Sequence, residues 1–179
     1  MAIESSDSQA DWDSLDTAVQ LKELEMTIKK AAISITRRLE FDAGHRIPNH
    51  GGQCKHLHGH RYAIEITLSG QIADHPGKAD DGMVLDFGDI KRLANQHVVE
   101  PWDHAFLVAK EDEGLVAFLV SLPDHKTVVM EHVPTVENLA NAAFAILQPV
   151  FEKAFGGQLM LSSIRLYETP NCWADVTHP

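Results

Sequence analysis

The chain has 179 residues and a mass of 19.8 kDa, the size of one domain with enough length to bury a sizeable core. Its 44% hydrophobic and 23% charged residues are ordinary globular values, which argues against wholesale disorder and fibrous architectures. Fifteen Lys and Arg against 26 Asp and Glu give a net charge of −11, so neither nucleic acid nor an anionic membrane is an expected partner. No apolar run is long enough to cross a bilayer. The polar, acidic opening MAIESSDSQADWD has neither secretory nor transit character, so a cytoplasmic location is expected.

Residues 1–13 are rich in Ser, Asp and Glu and are expected to be disordered. From Ser14 to Ala32, Leu21, Leu24, Ile28 and Ala31 recur at helical spacing. Residues 1–32 are therefore expected to be an extension, with residues 33–179 as the domain. Ile33 to His45 reads as a strand with Leu39, Phe41, Ala43 and His45 at period two. A loop at Pro48 to Gln53 leads to the second strand. There His58, His60, Tyr62, Ile64, Ile66 and Leu68 share one face, and Arg61, Ala63, Glu65, Thr67 and Ser69 share the other. That alternation predicts an antiparallel strand with one buried face. A turn-rich loop at Asp74–Gly82, a short strand at Met83–Asp86 and a helix at Phe87–Val99 follow. Residues 111–121 are ambiguous. Lys126–Glu131 reads as a strand. Thr135, after Pro134, is an N-cap candidate for a helix to about Phe155, ended by Gly156-Gly157. Two strands, Leu159–Glu168 and Trp173–Val176, close the chain around Pro170-Asn171. The fold class is α+β: antiparallel strands with a few helices on one face.

Histidine is the unusual residue. The chain has 11, and His45, His50, His56, His58 and His60 fall within sixteen positions. In His58-Gly59-His60 the two imidazoles point the same way on a strand. His45 ends the preceding strand on its own apolar parity. If the strands pair through the loop, three imidazoles converge, and three neutral nitrogens with an open fourth position make a catalytic zinc site. His56 shares the parity of His58 and is a rival ligand, whereas His50 lies in the loop and is expected to be solvated. Gly59 permits close backbone approach.

Cys54 and Cys172 form no CxxC pair and are expected to be free thiols. Cys54, beside Lys55 and near the histidines, is a candidate base or nucleophile. In Asp103-His104 a carboxylate stands next to an imidazole it can orient for proton transfer. Glu168 ends a mostly buried strand and can accept two parallel N–H bonds from a heterocycle. Glu131-His132 and Glu137 read equally as surface groups, and Glu111 to Glu113 as a solvated face.

In chain order these motifs are Phe41-x-Ala43-x-His45-Arg46, Cys54-x-x-x-His58-Gly59-His60, Asp86-Phe87, Asp103-His104, Pro134-Thr135-x-Glu137-Asn138 and Tyr167-Glu168-Thr169. Together they resemble the 6-pyruvoyltetrahydropterin synthase family, which includes the 6-carboxytetrahydropterin synthases of queuosine biosynthesis. The resemblance covers about residues 33–177. It implies a tunnelling fold: a four-stranded antiparallel sheet with two helices on one face, closed into a barrel by trimers that stack into a homohexamer. It implies zinc held by His45, His58 and His60, and Cys54 as general base. It further implies an Asp103–His104 proton relay, a pterin ring anchored by Glu168 with help from Thr135, and active sites between subunits. The implied substrate is 7,8-dihydroneopterin triphosphate, with Arg46, Lys55 and Arg61 as candidate triphosphate partners. The short Cys54-to-His58 spacing and Asp86-Phe87 favour the carboxy branch. Gly44 and Trp102 depart from the usual pattern without removing a chemical group, and the segment 14–32 lies outside it. The alternatives are a 6-pyruvoyltetrahydropterin synthase and a non-catalytic, zinc-containing pterin-binding protein of the same fold.

Overall fold

The two long strands form where period-two alternation is cleanest. In a computed structural model of the chain, which describes residues 33–178 together with Thr17, residues 19–24 and Met26, β1 spans Ile33–His45 and β2 spans His58–Gly70. They pair antiparallel over their whole length, from Ile33 opposite Gly70 to His45 opposite His58. Leu39, Phe41, Tyr62, Ile64, Ile66 and Leu68 are buried on the shared inner face. The outer face is polar and stitched across the strands. Ser34 meets Ser69, Thr36 meets Thr67, and Arg61 makes a two-pronged pair with Asp42 at 3.1 and 2.9 Å.

After β2 the chain runs through a long loop to helix α1, Phe87–Ala94, whose N-cap Asp86 accepts from the Gly88 N–H. A π turn, Asn95–Val99, and a last helical turn, Glu100–Trp102, extend it. The wide turn, closed by Glu100 N–H on Asn95 O, immediately precedes Pro101, which has no N–H for the ladder. Strand β3 is Ala105–Ala109, helix α2 Glu113–Ser121 and strand β4 Thr127–Met130. Helix α3, Val136–Phe155, starts at Thr135, whose Oγ1 accepts from Asn138 N–H, and stops at Gly156 with φ +61°. Strands β5, Leu159–Thr169, and β6, Cys172–Thr177, end the described chain.

The sheet has six strands in the order β4-β3-β1-β2-β5-β6 and is mixed, because β1–β3 and β3–β4 are parallel. The four-stranded, fully antiparallel sheet expected from the sequence is corrected on both counts. The Ala105–Ala109 run carries no alternation that marks it as a strand, and its pairing with β1 covers only Ala43–His45, a contact between segments about sixty residues apart. Met83–Asp86 is not a strand: its backbone bonds close the loop on itself, with Ala73 N–H donating to Met83 O. Residues 113–121 resolve as helix.

The main core lies between the inner face of the sheet and the α1-to-Trp102 helix plus α3, joined by Ile90, Leu93, Val98, Trp102, Leu139 and Leu147. Helix α2 departs from the expected one-sided arrangement. Its Leu115 and Leu119 pack on Val108, on the opposite parity of β3 from Leu107. Thr17, residues 19–24 and Met26 are helical, as the Ser14–Ala32 reading expected for that stretch, but Leu21 and Leu24 are more than half exposed. Ile28 and Ala31 fall outside the described residues, as do residues 1–13. Among the described residues no helix is long and apolar enough to cross a membrane.

Candidate metal centre and proton-relay pair

The antiparallel register sets the histidine cluster. His45 faces His58, and Ala43 faces His60, so the period-two parity of both strands puts all three rings on the inner face at one end of the sheet. One ring nitrogen from each of His45, His58 and His60 lies within 4.8 Å of the others. The ring centroids are 4.5, 5.2 and 5.0 Å apart. Gly59 sits between His58 and His60, where an added Cβ would stand 2.9 Å from Ala43 O, so only glycine lets the strands close here.

Two of the rings are locked in orientation. His45 Nδ1 is 2.7 Å from Pro134 O, and His58 Nδ1 is 2.8 Å from His56 O. A carbonyl only accepts, so both Nδ1 atoms carry the proton and both Nε2 atoms present a lone pair. This is how metal-binding imidazoles are held. His45 is fully buried and its Nε2 has no hydrogen-bond partner. Burial holds the pKa of His45 and His60 below the ordinary imidazole value, which keeps both rings neutral. Glu168 Oε1 stands 3.5 Å from His45 Nε2 and 4.0 Å from His60 Nε2. A lone pair and a carboxylate oxygen, both acceptors, face each other there. A cation between them resolves the conflict, so the donor set fits a divalent metal such as zinc.

The backbone partners carried little signal in the sequence. Pro134 O is offered by the buried turn before α3, and Asn138 Nδ2 holds that turn through Val133 O at 2.9 Å. The N-cap position of Thr135 is the signal that could have found them. The rival ligand His56 is exposed and outside the cluster; only its carbonyl contributes. His50 is exposed, with Nδ1 accepting from Gly52 N–H.

Cys54 is half-buried in a short 3-10 turn, Gln53–Lys55, tied to the end of β1 by Ile47 N–H on Cys54 O at 2.8 Å. Asp103 and His104 form a pair, His104 Nδ1 to Asp103 Oδ2 at 2.8 Å. Asp103 Oδ1 accepts the Asp42 N–H at 2.9 Å, and His104 N–H donates to Asp42 O at 2.6 Å. The Asp42 N–H, followed by the His104 bond, holds the Asp103 carboxyl below the usual carboxylate value despite the cost of desolvation. Asp42, Asp103 and His104 form a second cluster, separate from the triad. The Asp42 side chain leaves β1 on the parity opposite to Ala43 and His45, so the sheet stands between this cluster and the three imidazoles. A cleft of about 550 Å³ opens beside it, lined by Asp42, Gly44, His60, Arg61, His104 and His125 among others. A larger cavity of about 1020 Å³, around the loop from Gln71 to Asp89, contains none of the residues expected to carry chemistry.

The candidate triphosphate partners fare unequally. Arg46 is clamped by Asp112, with contacts of 2.6 and 2.5 Å, and Arg61 by Asp42. Lys55 is exposed. Glu131 pairs with Lys110, and Glu137 and His132 are exposed, as surface groups would be. Trp102 is buried edge-on to Phe41, so it serves packing.

Residues 34–179 match the family model described as 6-pyruvoyl tetrahydropterin synthase. The chain belongs to this family. It is thereby an enzyme of pterin-synthase type, a lyase. The 6-carboxy-5,6,7,8-tetrahydropterin synthase of Rickettsia felis is 39% identical over 145 residues, covering 80% of this chain and 99% of the relative. That of Haemophilus influenzae is 33% identical over 143 residues, covering 79% and 96%. The solved 6-pyruvoyl tetrahydropterin synthase of Caenorhabditis elegans shares the fold with a TM-score of 0.59 at 21% identity, covering 84% of this chain and 99% of that one. An uncharacterized protein from Wolinella succinogenes superposes with a TM-score of 0.68 at 20% identity, over 84% and 100%.

Proposed function

We propose that the chain is a zinc-dependent 6-carboxy-5,6,7,8-tetrahydropterin synthase. It converts 7,8-dihydroneopterin triphosphate and one water to 6-carboxytetrahydropterin, acetaldehyde and triphosphate, in queuosine (7-deazaguanine) biosynthesis. The observation that carries the metal reading is the buried, unpartnered Nε2 of His45, aimed among two further imidazoles and a carboxylate. The names of the relatives at 33–40% identity support the carboxy product.

His45, His58 and His60 would hold the metal, which would supply Lewis acidity to the substrate side chain. Cys54, on the loop that joins the two ligand-bearing strands, takes a proton from the substrate side chain. His104, oriented by Asp103, holds and returns a proton at a side-chain hydroxyl. Glu168 accepts the paired N–H groups of the pterin ring. Thr135 Oγ1 accepts an N–H as helix cap and keeps its own O–H to donate. Lys55 and Arg61 are the exposed candidates for the triphosphate, and Arg61 is already paired with Asp42.

The relay pair and the triad leave the sheet on opposite faces, which supports a homo-oligomer whose sites are completed by a second copy; a hexamer of two stacked trimers is the assembly proposed. Residues 33–179 form the proposed synthase domain and residues 1–32 an extension. The cytoplasm is the proposed location, where both free thiols stay reduced.

The test is a product assay on purified protein with 7,8-dihydroneopterin triphosphate, read by mass spectrometry with acetaldehyde trapped. Carboxytetrahydropterin with stoichiometric acetaldehyde is the expected result. A pyruvoyl product without acetaldehyde would overturn the branch. Full turnover by Cys54→Ala would overturn the base, and no turnover of any pterin would favour a binding protein.

A further inference from the structure

Asp103 and His104 sit on an awkward piece of backbone. His104 has φ +58°, in the left-handed region that costs a non-glycine residue about 1 kcal/mol or more and that persists only where its surroundings impose it. The preceding helix ends at Trp102, leaving carbonyls without helical partners. One side chain meets both needs. Lys126 Nζ donates to Asp103 O at 2.6 Å and to Glu100 O. Its own carbonyl accepts Phe106 N–H at 2.9 Å, which ties Lys126 to the start of β3, two residues after His104. The parallel register, Phe106 opposite Thr127, delivers it there.

We infer that Lys126 is a positioning residue for the Asp103–His104 pair. Its ammonium bridges the helix-end carbonyl of Glu100 and the carbonyl of Asp103, and so fixes the peptide that presents the His104 ring at the cleft. This rests on the reading that Asp103 and His104 relay protons. Two independent features make the bridge more than a surface lysine contact. An exposed lysine gains little from a single acceptor, but here two carbonyls converge on one Nζ. The positive charge also sits at the carbonyl end of a helical segment, where the helix dipole favours it. The other anchor of this turn, His104 N–H on Asp42 O, holds one side of the peptide; Lys126 holds the other. Strand β4, at the edge of the sheet, therefore has a role in the reaction through one residue just before its first position.

The experiment is a double-mutant cycle in the metal-loaded enzyme: Lys126→Met, Lys126→Arg, His104→Ala, and Lys126→Met with His104→Ala. The readouts are kcat, KM, bound metal and Tm. Loosening the ring by about an ångström lowers kcat of Lys126→Met roughly 10- to 100-fold. KM and metal content stay within about twofold, because the triad lies on the other face of the sheet and residues without shared partners act additively. Lys126→Arg, which can donate to both carbonyls, recovers most of kcat. In the His104→Ala background Lys126→Met adds less than about twofold, because the group it positions is gone. Lys126→Met turnover within about twofold of wild type, beside an impaired His104→Ala, overturns the inference and leaves the relay standing; so do losses that multiply. Full activity of His104→Ala overturns the relay reading and the inference with it. If Lys126→Met does not accumulate folded, Lys126→Gln, which keeps one donor pair, enters the cycle with the same thresholds.

Discussion

Removing the metal, or the ring that has nowhere else to turn, tests the centre most directly. In the metal-free chain the buried His45 Nε2 is an unpaired polar atom, which costs about 1–3 kcal/mol. Zinc at about a thousand times its Kd stabilises the folded state by about 4 kcal/mol. For a domain of this size each kcal/mol moves Tm by about 2–4 °C, so chelation lowers Tm by about 8–16 °C. His45→Phe keeps a flat ring in the same space and removes both nitrogens. It gives up the bond to Pro134 O, worth about 1 kcal/mol, and removes the unpaired Nε2, so these two effects offset each other in the metal-free state. The expected result is a metal-free Tm within a few degrees of wild type, no response to zinc, and loss of bound metal by elemental analysis. Differential scanning fluorimetry with and without chelator reads all of this. Undiminished zinc in His45→Phe, or a wild-type Tm that ignores stoichiometric zinc, would refute the assignment.

Three further outcomes are expected. Tyr62 is fully buried, its hydroxyl has no partner, and burial pushes its pKa up, while its ring stacks on Phe41 at 5.2 Å; Tyr62→Phe should leave stability unchanged or raise it by about 1 kcal/mol, and a loss of that size in denaturant melts would show that the hydroxyl is bonded. Asp103 has its carboxyl pKa depressed below the 3.8 of a free side chain, so the stability it contributes is present above that value and is lost as pH falls through the lower folded value; the gap between wild type and Asp103→Asn should be flat at neutral pH and close below about pH 4, and a gap that widens with acid would contradict the Asp42 N–H contact. Gly59→Ala should weaken metal binding about 10- to 100-fold while the protein stays folded, because the new Cβ presses on Ala43 O and parts the strands that carry the ligands; metal titration giving a wild-type Kd would show that the pairing tolerates it.

The inner face of the sheet was legible because two consecutive alternating runs have one natural antiparallel pairing, and that pairing alone carries His45, His58 and His60 together. Thr135 as N-cap and Gly156 as terminator were equally local. What stayed hidden was set by distant chain. Ala105–Ala109 is five apolar residues with no periodicity, and only its parallel seat beside Ala43–His45 makes it a strand. Met83–Asp86 looks like a strand by composition, but its hydrogen bonds go to its own loop. His56 has ligand parity in sequence, yet β2 begins only at His58, so the alternation does not extend back to it. Arg46 and Arg61 read as free cations because Asp112 and Asp42, which neutralise them, are 66 and 19 residues away.

The same alternation makes a single chain incomplete for the proposed reaction. His45 and Asp42 are three residues apart on β1, and odd spacing sends them to opposite faces. Under the proposed function, a substrate against the three imidazoles is on the face of the strand pair opposite to the Asp42 side chain, so metal and relay in one turnover are expected to come from different copies. This predicts complementation. His58→Ala lacks a ligand and His104→Ala lacks the relay, and each homo-oligomer should be inactive. Co-assembled at equal amounts, about one site in four draws its triad from one variant and its relay from the other, so activity should return to about a quarter of wild type. Mixed oligomers, verified by native mass spectrometry of differently tagged chains, that remain inactive would place triad and relay in the same chain. That result would require the strands to part at Gly44 and Gly59, the one residue pair in β1 and β2 with no side chain on either strand.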